Sequence, residues 1–271
     1  MPSLTLVLSR RERELIKKFS AGVPAVRIQR ALLAGALLFC TLLSAPANAE
    51  RVRVTQVLDG DSFCVSDGRE IRLIGINAPE FGKDGKPNEP LAREARELLT
   101  QLIVAREVDL EYDAERHDRY RRTLAHAFIE GKRSVEEVML REGFAFQIAQ
   151  SPNLAHLDNN ARAEVEARAA RRGVWAEPYF KPRAAEQLGT TDTGFRLVEG
   201  RVQRVSRGRY SLYLDLSERF TLVIPHEHWR HFGGDPQRFA GKRLIARGWV
   251  SAHENRLRLK LYHPLMIELV N

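Results

Sequence analysis

Between Arg51 and Ile76 apolar and polar residues alternate in three short runs, separated by Asp59-Gly60 and Asp67-Gly68. A period of two puts successive side chains on opposite faces of a strand, and Asp-Gly favours the two-residue hairpin turn. The segment is expected to be a three-stranded antiparallel meander with one buried face. Downstream, Leu91, Ala95, Leu98, Leu99 and Leu102 recur at helical spacing, with Pro90 suited to the first helical position. Two more strands read as "EVDLEY" and "TLAHAFIE", on either side of the charged loop from Asp113 to Arg122. Ser134 to Glu137 reads as a capping box opening a short helix that Gly143 ends, and a third helix is expected from Asn153 to Arg172, stopped by Gly173. Residues 50–176 are thus expected to form an α+β domain.

The segment "AEPYFKPRAAEQLGTTDTG" loses periodicity, so residues 177–194 are expected as a linker. Beyond it, "FRLVEGRVQRV", "RYSLYLDL", "RFTLVIP", "KRLIARGWV" and "RLRLKLYHPLMIEL" predict a second, small all-β barrel over residues 195–271, with one helical turn near His226 to Phe232. At 44% apolar residues the chain has enough side chains for proper cores, which excludes disorder and fibres.

Residues Ala31 to Ala45 form an apolar run behind Arg27 and Arg30 and ahead of Ala47-Asn48-Ala49, a small-x-small cleavage site. The run is shorter than the roughly 20 residues of a spanning helix. Residues 1–49 are therefore expected as a signal peptide, with a mature chain from Glu50, a periplasmic or secreted location, and no stable membrane insertion after its removal. Cys40 follows Phe39 where a lipid anchor needs a small residue. Cys64 is then the sole mature cysteine, so no internal disulfide is expected, and it reads as a small hydrophobe in a strand. Much of the formal +8 belongs to residues 1–49, at +5, which leaves +3 for the mature chain; there residues 50–189 are net −3 and residues 190–271 net +6, which makes the C-terminal part the candidate for a polyanion.

Taken singly, Asp59, Asp61 and Asp67 read as turn formers. Together, Asp61 and the Asn77-Ala78-Pro79-Glu80 that follows the third strand can lie at neighbouring strand ends and offer oxygens to one hard cation, which suits calcium better than zinc. Hydrolysis of a phosphodiester needs positive charge around phosphorus and a base for water. Glu80 can accept that proton, and Arg72 and Arg122 can make forked contacts to phosphate oxygens. Each arginine alone also fits a surface salt bridge.

In order and near spacing, "DGDS", "RLIGINAPE" and "DRYRRTLAHA", followed by "GVW", resemble the staphylococcal nuclease (thermonuclease) family over about residues 51–176. The resemblance implies a five-stranded OB-type barrel with three helices and a calcium-dependent endonuclease acting on DNA and RNA, leaving a 3′-phosphate and a 5′-hydroxyl. It further implies Asp61 as a calcium ligand, Glu80 as general base, and Arg72 and Arg122 as phosphate-binding and transition-state-stabilising groups. Asn77 stands where the family usually has a second calcium-binding aspartate; its amide oxygen can ligate but brings no charge, so affinity is expected to fall by roughly 10-fold or more. Arg121 replaces the usual glycine before Arg122. It either strains the loop, redirects Arg122 or adds a phosphate contact, and these stay open.

Tyr120 and Arg121 are candidate substrate contacts, as are Lys83 and Lys86 in the loop from Phe81 to Glu89, which also reads as a solvated loop. In the second barrel, OB-like in expectation, Arg201, Arg204, Arg207 and Arg209 with Tyr210, Tyr213 and Trp249 offer charge and stacking surfaces for single-stranded DNA or RNA, although alternation also sends aromatics into a core. Truncation near residue 190 is expected to weaken salt-sensitive binding and spare the chemistry. His226, His228 and His231 read as a solvated helical turn rather than a metal cluster. The competing expectation for the whole chain is a catalytically weak or inactive nucleic-acid-binding module of the cell envelope. A third is an envelope protein whose second barrel binds protein or glycan.

Overall fold

A computed structural model describes residues 49–82, 85–130 and 132–270, so the expected signal peptide falls outside the described residues except for Ala49. Strands β1 (Ala49–Val57), β2 (Ser62–Val65) and β3 (Glu70–Leu73) form the antiparallel meander that the Asp-Gly turns predict. Both aspartates hold their turns: Asp59 Oδ1 accepts the Asp61 N–H at 2.9 Å, and Asp67 Oδ1 accepts that of Arg69 at 3.0 Å. After β4 (Ile76–Asn77) and helix α1 (Ala92–Ile103), β5 (Glu107–Glu111) returns beside β1 and β6 (Thr123–Ile129) beside β5. A parallel pairing of β6 with β3 closes the strands in the order β1-β2-β3-β6-β5, an OB-type barrel.

Helix α1 buries Ala95, Leu99 and Ile103 against Phe63, Ile71, Leu73 and Leu110, which fill the barrel. Burying each such large side chain stabilises the fold by about 1.5–3 kcal/mol. β7 (Arg133–Ser134) leads into α2 (Val135–Arg141), where Ser134 accepts the Glu137 N–H at 3.1 Å as the capping box requires. β8 (Phe146–Gln147) pairs with β4, and α3 (Leu157–Ala169) completes the three helices. This last helix begins four residues later than its sequence pattern predicts. The Asn153 amide instead bonds the Glu115 main chain twice, at 2.7 and 2.8 Å, and so ties down the charged loop.

Residues expected as a linker carry two 3-10 turns, Pro178–Phe180 and Ala185–Gln187, and β9 (Arg183–Ala184) between them. They bury Phe180, Ala185 and Leu188. Then come β10 (Gly194–Arg201), β11 (Arg204–Arg207), β12 (Ser211–Asp215), β13 (Phe220–Pro225), α4 (Trp229–Phe232), β14 (Arg243–His253), β15 (Arg256–Lys260) and β16 (Ile267–Val270). Strands pair in the order β11-β12-β13-β15-β14-β10, with β13 and β15 parallel. Val202 and Gln203 join β10 to β11 and bond the carbonyls of Lys242 and Asp215, each at 2.8 Å. Taken as one bent strand, β10 and β11 give this all-β unit the strand order of the first barrel.

Phe146, Ile148, Ala149 and Val174 of the first region share one apolar cluster with Leu197, Leu244 and Met266 of the second. Cys64 lies on strand β2, half-buried. Among the described residues no helix is long and apolar enough to cross a membrane.

Candidate active site

The register of β2 against β3 sets Arg72 opposite Ser62, beside the Asp61 that precedes β2. Asp61 is buried and its carboxylate is densely used: Oδ1 accepts from the Ser62 hydroxyl at 3.0 Å, and Oδ2 from the Ala78 N–H at 2.8 Å and from Arg72 at 3.0 Å. Arg72 also donates to the Leu73 carbonyl at 2.6 Å, so its guanidinium has one orientation. Burial, reinforced by the charges of Asp59 and Glu80, pushes the Asp61 carboxyl up to about 7 against the pull of Arg72 and the Ala78 amide. A cation bound there would favour the ionised form.

The Ala78 contact carries the motif that follows β3 onto Asp61. Gly60 makes it possible: a Cβ at that position would come within 2.5 Å of the Ala78 Cβ and 2.7 Å of the Ala95 Cβ. Asn77 is buried on β4, its amide nitrogen donating to the Ala78 carbonyl at 3.3 Å, while its Oδ1 is buried with no hydrogen-bond partner among the described residues. An orphaned amide oxygen next to the residue that bonds Asp61 suits a hard cation, and both groups are oxygen donors. Among the described residues no three His, Cys, Asp or Glu side chains are grouped to hold a metal, so two protein side chains make a sparse site that draws on water or substrate oxygens. Glu80, partly buried, lies three residues beyond Asn77, and its charge reaches Asp61.

Arg122 comes from the other side of the barrel seam. The parallel pairing of β6 with β3 places Thr123 beside Ile71, so the preceding Arg122 falls near Glu70 and its Nη1 is 3.9 Å from Glu70 Oε1. Asp118 holds it: Oδ2 accepts from Arg122 Nε at 2.8 Å, and Oδ1 from the N–H groups of Tyr120 and Arg122 at 2.9 and 3.0 Å. Burial alone would lower the Arg122 pKa, but Asp118, Asp61 and Glu70 hold it above the usual arginine range. Asp118 in turn lies below the usual carboxylate range, because its bonds to Arg122 outweigh its burial. Arg72 thus contacts Asp61 directly, while Glu80 and Arg122 interact with Asp61 through their charges.

Of the alternatives at position 121 the structure favours strain: Arg121 has φ +69°, in the left-handed region where a side chain costs about 1–2 kcal/mol. Its exposed side chain does not displace Arg122, which Asp118 keeps in place. Arg121→Gly is therefore expected to stabilise the protein by about 1 kcal/mol, raising Tm by roughly 2–4 °C. A melt that is unchanged or lower would remove the strain argument. Tyr120 is 64% exposed, with the Arg119 guanidinium 4.7 Å and that of Arg122 5.7 Å from its ring centre, so a flat surface beside Arg122 faces solvent. Lys83 lies outside the described residues, and Lys86 is exposed.

Two residues at the site escaped the sequence reading. Asp118 sits four residues before Arg122, and its turn-forming type was the available signal. Glu89 accepts the Glu80 N–H at 3.0 Å from inside a Gly/Lys/Pro-rich loop, with no local pattern to mark it.

In the second barrel the basic candidates separate. Arg204 is spent on Asp215 at 2.7 Å and Arg201 on the Gly241 carbonyl at 2.7 Å, while Arg207, Arg209 and Tyr210, the last 69% exposed, cluster at the β11–β12 turn. Tyr213 is half-buried over Gly208, and Trp249 meets Phe195 edge-on. The three histidines are half-buried, not solvated. His226 meets the Gly208 carbonyl at 3.0 Å, His231 meets Ser151 at 3.2 Å, and the His228 ring packs edge-on to Tyr262.

The fold is thus a closed OB-type barrel that carries a buried carboxylate, a buried amide oxygen and two arginines about one seam. Residues 70–177 match the family model described as "Staphylococcal nuclease homologue", a span that includes Arg72, Asn77, Glu80 and Arg122 but begins after Asp61. The chain is 32% identical over 133 residues to the thermonuclease of Staphylococcus hyicus, which covers 48% of this chain and 78% of that relative. It is 30% identical over 135 residues to the thermonuclease of Staphylococcus intermedius, covering 49% and 80%. With endonuclease YncB of Bacillus subtilis (strain 168) it shares 28% identity over 131 residues, covering 46% and 62%. The chain belongs to the staphylococcal nuclease family.

Proposed function

We propose that the protein is an exported, calcium-dependent endonuclease that hydrolyses phosphodiester bonds of single-stranded DNA or RNA. The observation that carries this reading is the buried Asp61–Arg72 pair, electrostatically linked to Glu80 and Arg122, with the orphaned Asn77 oxygen two residues from Pro79 on the same motif. Family relatives named thermonuclease and endonuclease support the reaction class. Asp61 and Asn77 would hold calcium, which supplies positive charge beside a phosphate that otherwise repels its nucleophile. Glu80 takes a proton from the attacking water as its oxygen bonds to phosphorus. Arg72 and Arg122 bond the phosphate oxygens as charge builds there. The P–O5′ bond breaks and the 5′-oxygen leaves, taking a proton from solvent water, giving a 3′-phosphate and a 5′-hydroxyl. Substrate has to share Arg72 with Asp61, whereas Asp118 grips Arg122 by Nε and so directs the terminal nitrogens elsewhere.

Tyr120 supplies a stacking face next to Arg122, and Lys83 and Arg121 contact the nucleic-acid backbone. The exposed cluster of Arg207, Arg209 and Tyr210 extends binding onto the second barrel. Export to the periplasm or medium rests on the apolar run and cleavage site of residues 31–49.

The test is cleavage of an end-labelled single-stranded oligonucleotide in calcium and in chelator. Cleavage in calcium, products bearing 3′-phosphate and loss in chelator are expected. Asn77→Asp is expected to lower the calcium needed by roughly 10-fold, through the added ligand charge. Asn77 also favours a second reading, a nucleic-acid-binding module of the envelope with weak or absent catalysis. Salt-sensitive binding without cleavage in any divalent cation would select it and overturn the first.

A further inference from the structure

We propose that Arg196 and Tyr179, which lie beyond the residues matched by the family model, are positioning residues for Glu80, acting through Glu89; this rests on the reading of Glu80 as general base. Glu80 and Glu89 close the base of their loop reciprocally: the Glu80 N–H donates to Glu89 Oε2 at 3.0 Å, and the Glu89 N–H donates to the Glu80 carbonyl at 2.9 Å. A second rung joins the Gly82 N–H to Asn88 Oδ1 at 3.0 Å. One carboxylate therefore sets the main chain from which the proposed base projects.

The other oxygen of that carboxylate is held from the C-terminal extension. Glu89 Oε1 accepts from the Tyr179 hydroxyl at 3.3 Å and from Arg196 Nη1 at 3.4 Å. The Glu89 and Arg196 side chains are only 16% and 18% exposed, so water screens the pair weakly and charge-assisted bonds gain strength. Both holders are themselves fixed. Arg196 sits on β10, donates to the Phe195 carbonyl at 2.7 Å and places its guanidinium 5.4 Å from the Tyr179 ring centre. Phe195 is buried against Phe146, whose β8 strand pairs Phe146 with Asn77. Tyr179 rides on a 3-10 turn that Glu177 caps and that the buried Phe180 anchors. A loop whose tip carries lysines and glycines is thus clamped at its root by a rigid barrel.

Displacing a reacting group by about 1 Å can cost on the order of 100-fold in rate, so a partly loosened Glu80 is expected to lower turnover without changing how substrate is held. In the full-length chain, Arg196→Met is expected to lower kcat about 10-fold and Tyr179→Phe about 3-fold, with KM within about 2-fold, and Arg196→Lys is expected to recover most of the loss. Hydrogen exchange at the Glu80 amide is expected to quicken in both damaged variants. Tyr179→Phe removes one exposed hydroxyl and keeps the ring, so it folds even if the arginine variant does not. Wild-type kcat in both variants overturns the proposal, as does a loss that is matched by a rise in KM and a fall in Tm. If the wild-type protein does not cleave at all, the nuclease reading fails. Exchange at Glu80 then decides the clamp, faster exchange upholding it and unchanged exchange overturning it.

Discussion

Glu80→Gln is expected to lower calcium-stimulated cleavage by roughly 10²- to 10⁴-fold, the usual contribution of a positioned general base, while KM stays unchanged. The amide keeps the size of the carboxylate and leaves the main-chain ring with Glu89 intact, so the clamp and the fold are preserved. What is lost is a proton acceptor and one negative charge. The second loss has its own signature, because the Glu80 charge helps to raise the Asp61 carboxyl. Removing it eases ionisation of Asp61, so calcium binding is expected to be maintained. Binding by the variant to an oligonucleotide with an uncleavable linkage, measured beside cleavage, separates the two effects. Wild-type turnover in Glu80→Gln would transfer the proton-accepting role elsewhere and sink the proposed mechanism.

What could be read in advance divides along chain distance. The meander, the first helix and the short capped helix were legible because their signals are local: the period of two, the Asp-Gly pairs, and Ser134 three residues before Glu137. The second barrel was legible as strands, its first as the single run "FRLVEGRVQRV", but the bend in that run was not, since the bonds of Val202 and Gln203 go to carbonyls of Lys242 and Asp215. The sequence pattern extends the third helix back to Asn153 because the pairing of Asn153 with Glu115, 38 residues away, leaves no periodic trace. The candidate site shows the same split. Asp61, Arg72, Asn77, Glu80 and Arg122 stood in motifs, whereas Glu89 becomes meaningful only through Tyr179 and Arg196, which are 90 and 107 residues distant. The positive φ of Arg121 was raised as a question by the missing glycine, and only the backbone answered it.

Ending the chain near residue 190 is expected to unfold or aggregate what remains, so the structure replaces the expectation that truncation spares the chemistry. Phe146, Ile148, Ala149 and Val174 are almost wholly buried, and their cluster is completed by side chains from beyond residue 190. Uncovering the three larger ones forfeits about 1.5–3 kcal/mol each, a sum comparable to the roughly 5–15 kcal/mol that holds a domain folded. The cut also removes Arg247, whose Nη1 lies 2.7 Å from Glu164, a carboxylate with a 7% exposed side chain. Among the described residues Glu164 then keeps only the Gln147 N–H, at 2.7 Å, for a charge that is costly to leave buried. Arg247→Met in the intact chain isolates that part: about 3 kcal/mol of destabilisation is expected, read as a lower denaturation midpoint with unchanged slope. The truncated chain, compared with the full one by circular dichroism on heating, is expected to lack a cooperative transition. A cooperative melt within a few degrees of the full chain would mean that the first barrel is self-sufficient, and the shared core would then be a convenience of packing rather than a requirement.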